Sequence, residues 1–145
     1  MAGVLRGWLA RRFGGRGAAH LELGRRGERE AARVMRRAGC RVVARNLRTP
    51  GGEADLVCID RAGGAVVLVE VKTRVQPADG SGVSPTAAIH AEKRRRLVST
   101  ARSLARLPRF AGRAVRIDVV TVEFVGGERR VRHYVNAVGG DGSLR

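Results

Sequence analysis

Apolar residues recur along this chain with two different periods, and each change of period marks an element. Ala31, Val34, Met35 and Ala38 fall at helical spacing, which predicts a helix from about Leu23 to Ala38. Gly39 is placed to end it, as a residue that tolerates the left-handed cap. A short strand is expected near Arg41 to Arg45, followed by a turn-rich loop, "RTPGGE". "ADLVCID" and "AVVLVEVK" read as two strands joined by the turn "RAGG". "VQPADGSGVSP" reads as a mobile loop. Ser84 and Pro85 then suit the N-cap and first position of a second helix running to about Leu107. Leu97, Ala101 and Leu104 form its inward stripe. "AVRIDVVTVEFV", a tight "GG" turn and "ERRVRHYV" read as a closing hairpin. The predicted order is α-β-β-β-α-β-β, an α/β chain with no internal repeat.

The third predicted strand carries charge where a buried strand should not. Ala65 to Val69 reads as buried, yet Glu70 and Lys72 follow on one face, and charges leave water at a large cost unless paired. If Arg61 to Gly64 form a four-residue hairpin loop, Asp60 pairs with Ala65. Ile59 then meets Val66, Val57 meets Leu68, Asp55 meets Glu70 and Glu53 meets Lys72, all on one face. That face is oily at one end and holds three carboxylates and one ammonium at the other. Facing carboxylates repel, and a divalent cation between them removes the repulsion. Mg²⁺ favours hard oxygen ligands and commonly takes one or two carboxylates plus substrate phosphate. It also lowers the pKa of a bound water, which Lys72 is placed to hold, along with a phosphoryl oxygen. Glu28 precedes Ala31 and Met35 on the core-facing stripe and can complete the ligand set; it equally fits ordinary helix N-terminal charge. A salt bridge at the surface end of the strands, Glu53 with Lys72 and Asp55 with an arginine, accounts for the same residues. The sequence pattern by itself leaves both readings open.

Composition narrows the choice. A chain of 145 residues with 43% hydrophobic residues is expected to close one core. No apolar run approaches the roughly 20 residues of a membrane span. Residues 1–20 read as a basic, Arg/Gly-rich flexible tail without the pattern of a secretory signal. Val4, Leu5, Trp8 and Leu9 could alternatively line a short helix that touches a membrane or partner. Residues 21–138 form the expected domain and 139–145 a flexible end. Cys40 and Cys58 lie outside any CxxC, and His20, His90 and His133 are scattered, so neither a zinc framework nor a disulfide scaffold is expected and a cytoplasmic location fits. The net charge of +16 favours a polyanionic partner, most simply nucleic acid. At 3% aromatic residues the chain is a poor candidate for base stacking on single strands, so phosphate contacts on duplex or branched DNA fit better. Of its 29 basic residues only Lys72 and Lys93 are lysines. Lysine is a compact point charge that arginine does not reproduce, so these two positions attract notice.

The stretches "GRRGEREAARVMRRAGCRVVARNLRTPGGEADLV", "LVEVKTR" and "RIDVVTV" resemble the bacterial YraN-like family, a branch of the PD-(D/E)XK, or restriction-endonuclease-like, superfamily similar to archaeal Holliday-junction resolvases. The resemblance spans roughly residues 21–125 and rests on motif order: a helix Glu, then Asp, then E-x-K. It implies a restriction-endonuclease-like mixed β-sheet flanked by helices and Mg²⁺- or Mn²⁺-dependent phosphodiester hydrolysis. Asp55 matches the first motif acid, Glu70 and Lys72 match (D/E)XK, and Glu28 matches the helix acid of the resolvase branch. Asp55, Glu70 and Glu28 would hold the metal, with Lys72 positioning or activating the nucleophile. Ala54 stands where the motif proline would be. The resolvase analogy also implies a homodimer, since a junction presents two symmetric cuts.

Further residues are expected to meet nucleic acid: Arg45, Arg48 and Arg74 near the site, and Lys93, Arg94, Arg95 and Arg96 on the second helix. For Lys93 a solvated basic face is the plainer expectation. Asp118, inside an apolar strand, is expected to form an ion pair with Arg116 or Arg48. Gly51 and Gly52 either allow close backbone approach or simply make a turn. A binding module that keeps the nuclease fold without catalysis is the alternative to an enzyme.

Overall fold

A computed structural model describes residues 17–79 and 89–145. The N-terminal residues to 16, including Val4, Leu5, Trp8 and Leu9, lie outside the described residues, as does the expected helix start at Ser84 and Pro85. Helix α1 spans Gly17–Arg37, strand β1 Cys40–Thr49, β2 Gly52–Asp60 and β3 Val66–Gln76. Helix α2 spans Ala91–Arg106, a 3-10 turn Pro108–Phe110, β4 Val115–Val125 and β5 Glu128–Val138. The order is the predicted α-β-β-β-α-β-β.

The strands form one mixed sheet in the order β1-β2-β3-β4-β5. Neighbours are antiparallel except β3 and β4, which run parallel because α2 returns the chain between them. Alternation along the strands sends Val57, Ile59, Val66, Leu68, Ile117 and Val119 to the α2 side, where Ile89, Leu97, Val98 and Leu104 close the core. Leu56, Cys58, Val67, Val69, Val120 and Val122 face α1, against Ala31, Ala32 and Met35. The sheet is therefore covered on both sides, and Val66–Val69 of β3 form an unbroken apolar run for that reason.

The predicted hairpin register holds. Ile59 pairs with Val66, Cys58 with Val67, Val57 with Leu68 and Leu56 with Val69. The Asp60 amide donates to the Ala65 carbonyl at 2.9 Å. Pairing then stops, so Asp55–Glu70 and Glu53–Lys72 are not backbone partners.

Three elements differ from expectation. Helix α1 begins by Gly17, inside the stretch expected as tail. Strand β1 is much longer than Arg41–Arg45 and reaches Thr49, which pairs with Gly52 across a Pro50–Gly51 turn. The C-terminal residues fold back: Gly139 donates to the Ser143 carbonyl at 2.8 Å, and Val138 bridges to Leu144.

Candidate functional site

The site lies where β2 and β3 stop pairing. Asp55 is fully buried at that point, and its Oδ2 accepts the Val71 amide at 2.8 Å. The side chain thus takes the place of a backbone partner and fixes the carboxylate against β3 beside Glu70. Glu70 is also buried, with Leu68 and Val66 before it on the α2 face. From the third residue of α2, Lys93 reaches down to Glu70, with Nζ 3.0 Å from Oε1; the Glu70 side chain is 3% exposed. Lys72 is two residues further on the same strand face, half-buried. Its register neighbour on β4 is Thr121. Thr121 is buried, and its Oγ1 has no hydrogen-bond partner among the described residues.

Glu28 stands on α1 at the other side of this opening. Its Oε2 receives Asn46 Nδ2 at 3.5 Å, the outer limit of a hydrogen bond. Asn46 lies between Arg45 and Leu47, whose β2 partners Leu56 and Ala54 flank Asp55. Its backbone is left-handed, with φ of 48°. Asparagine tolerates that conformation better than most residues, and it turns the amide out of the regular strand pattern.

The donor set can be tested against a divalent cation. Two buried carboxylates from adjacent strands and an unsatisfied hydroxyl close by are hard oxygen donors of the kind Mg²⁺ and Mn²⁺ prefer. Among the described residues no three His, Cys, Asp or Glu side chains are gathered so as to hold an ion by themselves. The fit is therefore to a cation held by Asp55 and Glu70 and completed by water and phosphate oxygens.

The expected phosphate contacts divide into two groups. Arg45 and Arg95 are exposed, and Arg74 is half-buried beside the site. Arg48 leans on Glu53 at 3.6 Å and Arg96 on Glu92 at 2.7 Å, both with exposed arginines. Arg94 is committed elsewhere: its guanidinium donates to the Ile89 carbonyl at 2.7 Å and the Gly142 carbonyl at 2.8 Å, tying the C-terminal segment to α2. Gly51 and Gly52 serve close approach, to α2 rather than to a phosphate. A Cβ at Gly51 would fall 2.3 Å from the Ser99 carbonyl oxygen. The Gly51 amide donates to Ser103 Oγ at 3.0 Å, anchoring the β1–β2 turn next to the site.

Asp118 pairs with Arg116, as expected, and lies on the α1 side of β4, facing away from the Glu70 surface. One residue and one contact of the site were not legible. Thr121 reads as an ordinary strand threonine, and only its register with Lys72 brings it into view. Glu70 as the partner of Lys93 depends on where α2 lands; the rarity of lysine was the one available signal.

Comparison with known proteins places these residues in a family. Residues 27–122 match the family described as "Uncharacterised protein family UPF0102". A UPF0102 protein of Anaeromyxobacter dehalogenans is 42% identical over 129 residues, covering 89% of this chain and 92% of the relative. One from Nitratidesulfovibrio vulgaris is 40% identical over 114 residues, 79% and 81% of the two chains. One from Solibacter usitatus is 48% identical over 101 residues, 68% and 73%. The matched span runs from the Gly27–Glu28 pair of α1 to Val122 in β4 and so contains Glu28, Asp55, Glu70, Lys72, Lys93 and Thr121. The chain belongs to the UPF0102, or YraN-like, family, a PD-(D/E)XK-like family.

Proposed function

We propose that this protein is a metal-dependent endonuclease acting on DNA phosphodiester bonds. The observation that carries the reading is the pair Asp55 and Glu70. Two buried carboxylates held on adjacent strands, at the one place where β2 and β3 part, have no role in core packing and are costly to keep there. Asp55 and Glu70 would hold Mg²⁺ or Mn²⁺, which when bound supplies an acidified water and charge stabilisation at phosphorus. Lys72, on the same face, orients the nucleophile or a phosphoryl oxygen. The unsatisfied Thr121 hydroxyl beside it offers a further hydrogen bond to the same groups. Glu28 acts from the far side of the opening through Asn46 or a water. Arg45 and Arg95 meet backbone phosphates, with Arg48, Arg74 and Arg96 available once they leave their present partners. The net charge of +16 supports a polyanionic substrate. By analogy with the resolvases the substrate is branched DNA and the acting species a homodimer.

One observation favours a second reading, a non-catalytic nucleic-acid-binding module. The Lys93 ammonium lies 3.0 Å from Glu70, so that carboxylate has a cation in contact without a metal. Cleavage assays on labelled four-way, flap and linear DNA, with Mg²⁺ or Mn²⁺, separate the two. The expected result is metal-dependent cutting by the wild type that is lost in Asp55→Asn and Lys72→Ala. Asparagine can still accept the Val71 amide, so Asp55→Asn should fold. DNA binding by all three proteins without metal and without cutting would establish the binding module.

A further inference from the structure

Lys93 is one of only two lysines in the chain, and the other, Lys72, belongs to the E-x-K motif. It lies on the same stripe of α2 as Leu97, Ala101 and Leu104, so the packing of that stripe against the sheet fixes where its ammonium goes. The ammonium goes to Glu70 Oε1, 3.0 Å away, and only 34% of the Lys93 side chain is exposed. Glu70 is therefore a buried carboxylate with a monovalent cation in contact. It is also a carboxylate that the proposed reaction needs for a divalent one. An ammonium and a divalent cation on one carboxylate repel each other strongly in a poorly solvated site. Each therefore weakens the other's hold on Glu70.

We propose that Lys93 is the resident counter-cation of the site and is exchanged for the divalent cation when the site is loaded. In the metal-free protein it places a positive charge in contact with the buried Glu70 carboxylate. When a divalent cation binds, the ammonium is released from Glu70 towards the mouth of the site, where a substrate phosphate can receive it. The exchange makes metal binding weak in the absence of nucleic acid and stronger in its presence, because the phosphate offers the displaced ammonium a new partner. Coupling of this kind is reciprocal: metal must tighten nucleic-acid binding by the same factor. The same side chain thereby serves as counter-ion before loading and as phosphate contact afterwards. This inference rests on the metal-dependent reading given above.

Two measurements on metal binding itself, with no cleavage involved, test the exchange. Because the chain has two lysines, lysine-selective isotope labelling gives two side-chain signals by NMR, assigned with a Lys72→Arg variant. Titration of the wild type with Mg²⁺ should move the Lys93 signal from an ion-paired to a solvated position, with saturation tracking metal binding by calorimetry. In parallel, Lys93→Met should bind Mn²⁺ about tenfold or more tightly than the wild type without DNA, whereas Lys93→Arg should not. Asp55→Asn should bind poorly in either background. Metal binding with an unmoved Lys93 signal, or equal affinity in Lys93→Met and wild type, overturns the exchange and leaves the nuclease reading standing. No metal binding by any of these proteins, with or without DNA, overturns both.

Discussion

The Asp118 carboxylate is fully buried and collects hydrogen bonds from three directions. Arg116 donates from Nε at 3.0 Å and from its terminal nitrogen at 3.2 Å, a two-pronged contact. His133 Nε2 lies 2.7 Å from Oδ2, and the Asn136 amide donates to Oδ1 at 2.9 Å. Arg116 also reaches Asp60 at 3.2 Å, so two strand ends are tied together through β4. Burial pushes the Asp118 carboxyl up, but the hydrogen bonds from His133, Arg116 and Asn136 outweigh it and hold the group below its ordinary value. A carboxylate whose pKa is depressed by folding contributes stability above its unfolded value, roughly 3.9, and loses it as pH falls through the folded value. Asp118→Asn should therefore cost about 3 kcal/mol at neutral pH, since it leaves Arg116 short of a buried partner. The variant should also lose much of the acid sensitivity of the wild type. Urea midpoints measured between about pH 7 and pH 3 check both: parallel curves for the two proteins would show that Asp118 is not the group titrating. At a thiol nearby burial is the largest influence and is not outweighed. It pushes the Cys58 thiol up to about 12, with the neighbouring Cys40 adding to the shift, which marks Cys58 as a packing residue rather than a nucleophile.

Helix α1 shows how an element can contradict its own local signals. Gly24 and Gly27 are buried in mid-helix, where each costs about 1 kcal/mol relative to alanine. Gly27 accounts for its presence by contact: a Cβ there would fall 1.8 Å from Thr73 Oγ1 on β3. The missing side chain lets α1 lie directly on the strand that carries Glu70 and Lys72, and it sets Glu28 beside the opening. Gly27→Ala should destabilise by about 1–2 kcal/mol although alanine is the better helix former, because overpacking against a stiff threonine outweighs the gain in propensity. Gly27→Ala combined with Thr73→Ser, which removes the methyl but keeps the hydroxyl, should recover only part of the loss. Thr73→Ala with Gly27→Ala should recover most of it, read as urea midpoints. The sequence pattern could not show this, since glycine ordinarily marks a turn; the apolar stripe placed the helix end, Ala38, within one residue of Arg37 but started the helix at Leu23 rather than by Gly17. Strand β1 was under-read for a related reason: a bulge between Val42 and Ala44 and the left-handed Asn46 break its period of two. The β2–β3 hairpin, by contrast, was legible to the residue, because a four-residue loop and alternating apolar positions leave one register. That register located Asp55, Glu70 and Lys72. It did not foresee that Asp55 would replace a backbone partner, because pairing was extended past Leu56 as though the strands stayed together. Lys93 was noticed but not placed, since only the packing of α2 sets its reach.

At the scale of the whole molecule, positive charge is spread over surfaces that the core does not use. Both faces of the sheet are covered by helices, so the arginines of the two edge strands, among them Arg41 and Arg45 on β1 and Arg129, Arg130 and Arg132 on β5, remain exposed. Charges on an edge discourage strand-to-strand aggregation, which gives them a structural role whatever the partner. Yet avoiding aggregation takes only a few charges of either sign, and it does not account for a chain with 29 basic and 13 acidic residues. The proposed nucleic-acid partner would, and that proposal makes a quantitative demand. Each phosphate neutralised releases counterions, so affinity for duplex DNA must fall steeply with salt. If about six phosphates are contacted, raising salt from about 50 to 200 mM should weaken binding by about a thousandfold. The slope should also identify the face used. Arg45→Gln, on the β1 edge opposite Leu56, should lower it by about one contact, whereas Arg94→Gln should leave it unchanged and loosen the C-terminal segment instead, because that guanidinium is spent on Ile89 and Gly142. Fluorescence anisotropy of labelled four-way and linear DNA across a salt series, with Mg²⁺ withheld so that cutting cannot intervene, reads all of these values. A flat slope would mean that the basic surface does not bind phosphate, and would remove the main support for a nucleic-acid substrate. A steep slope that ignores Arg45 would move the contact surface to the β5 edge, away from Asp55 and Glu70, and would favour a binding module over an enzyme.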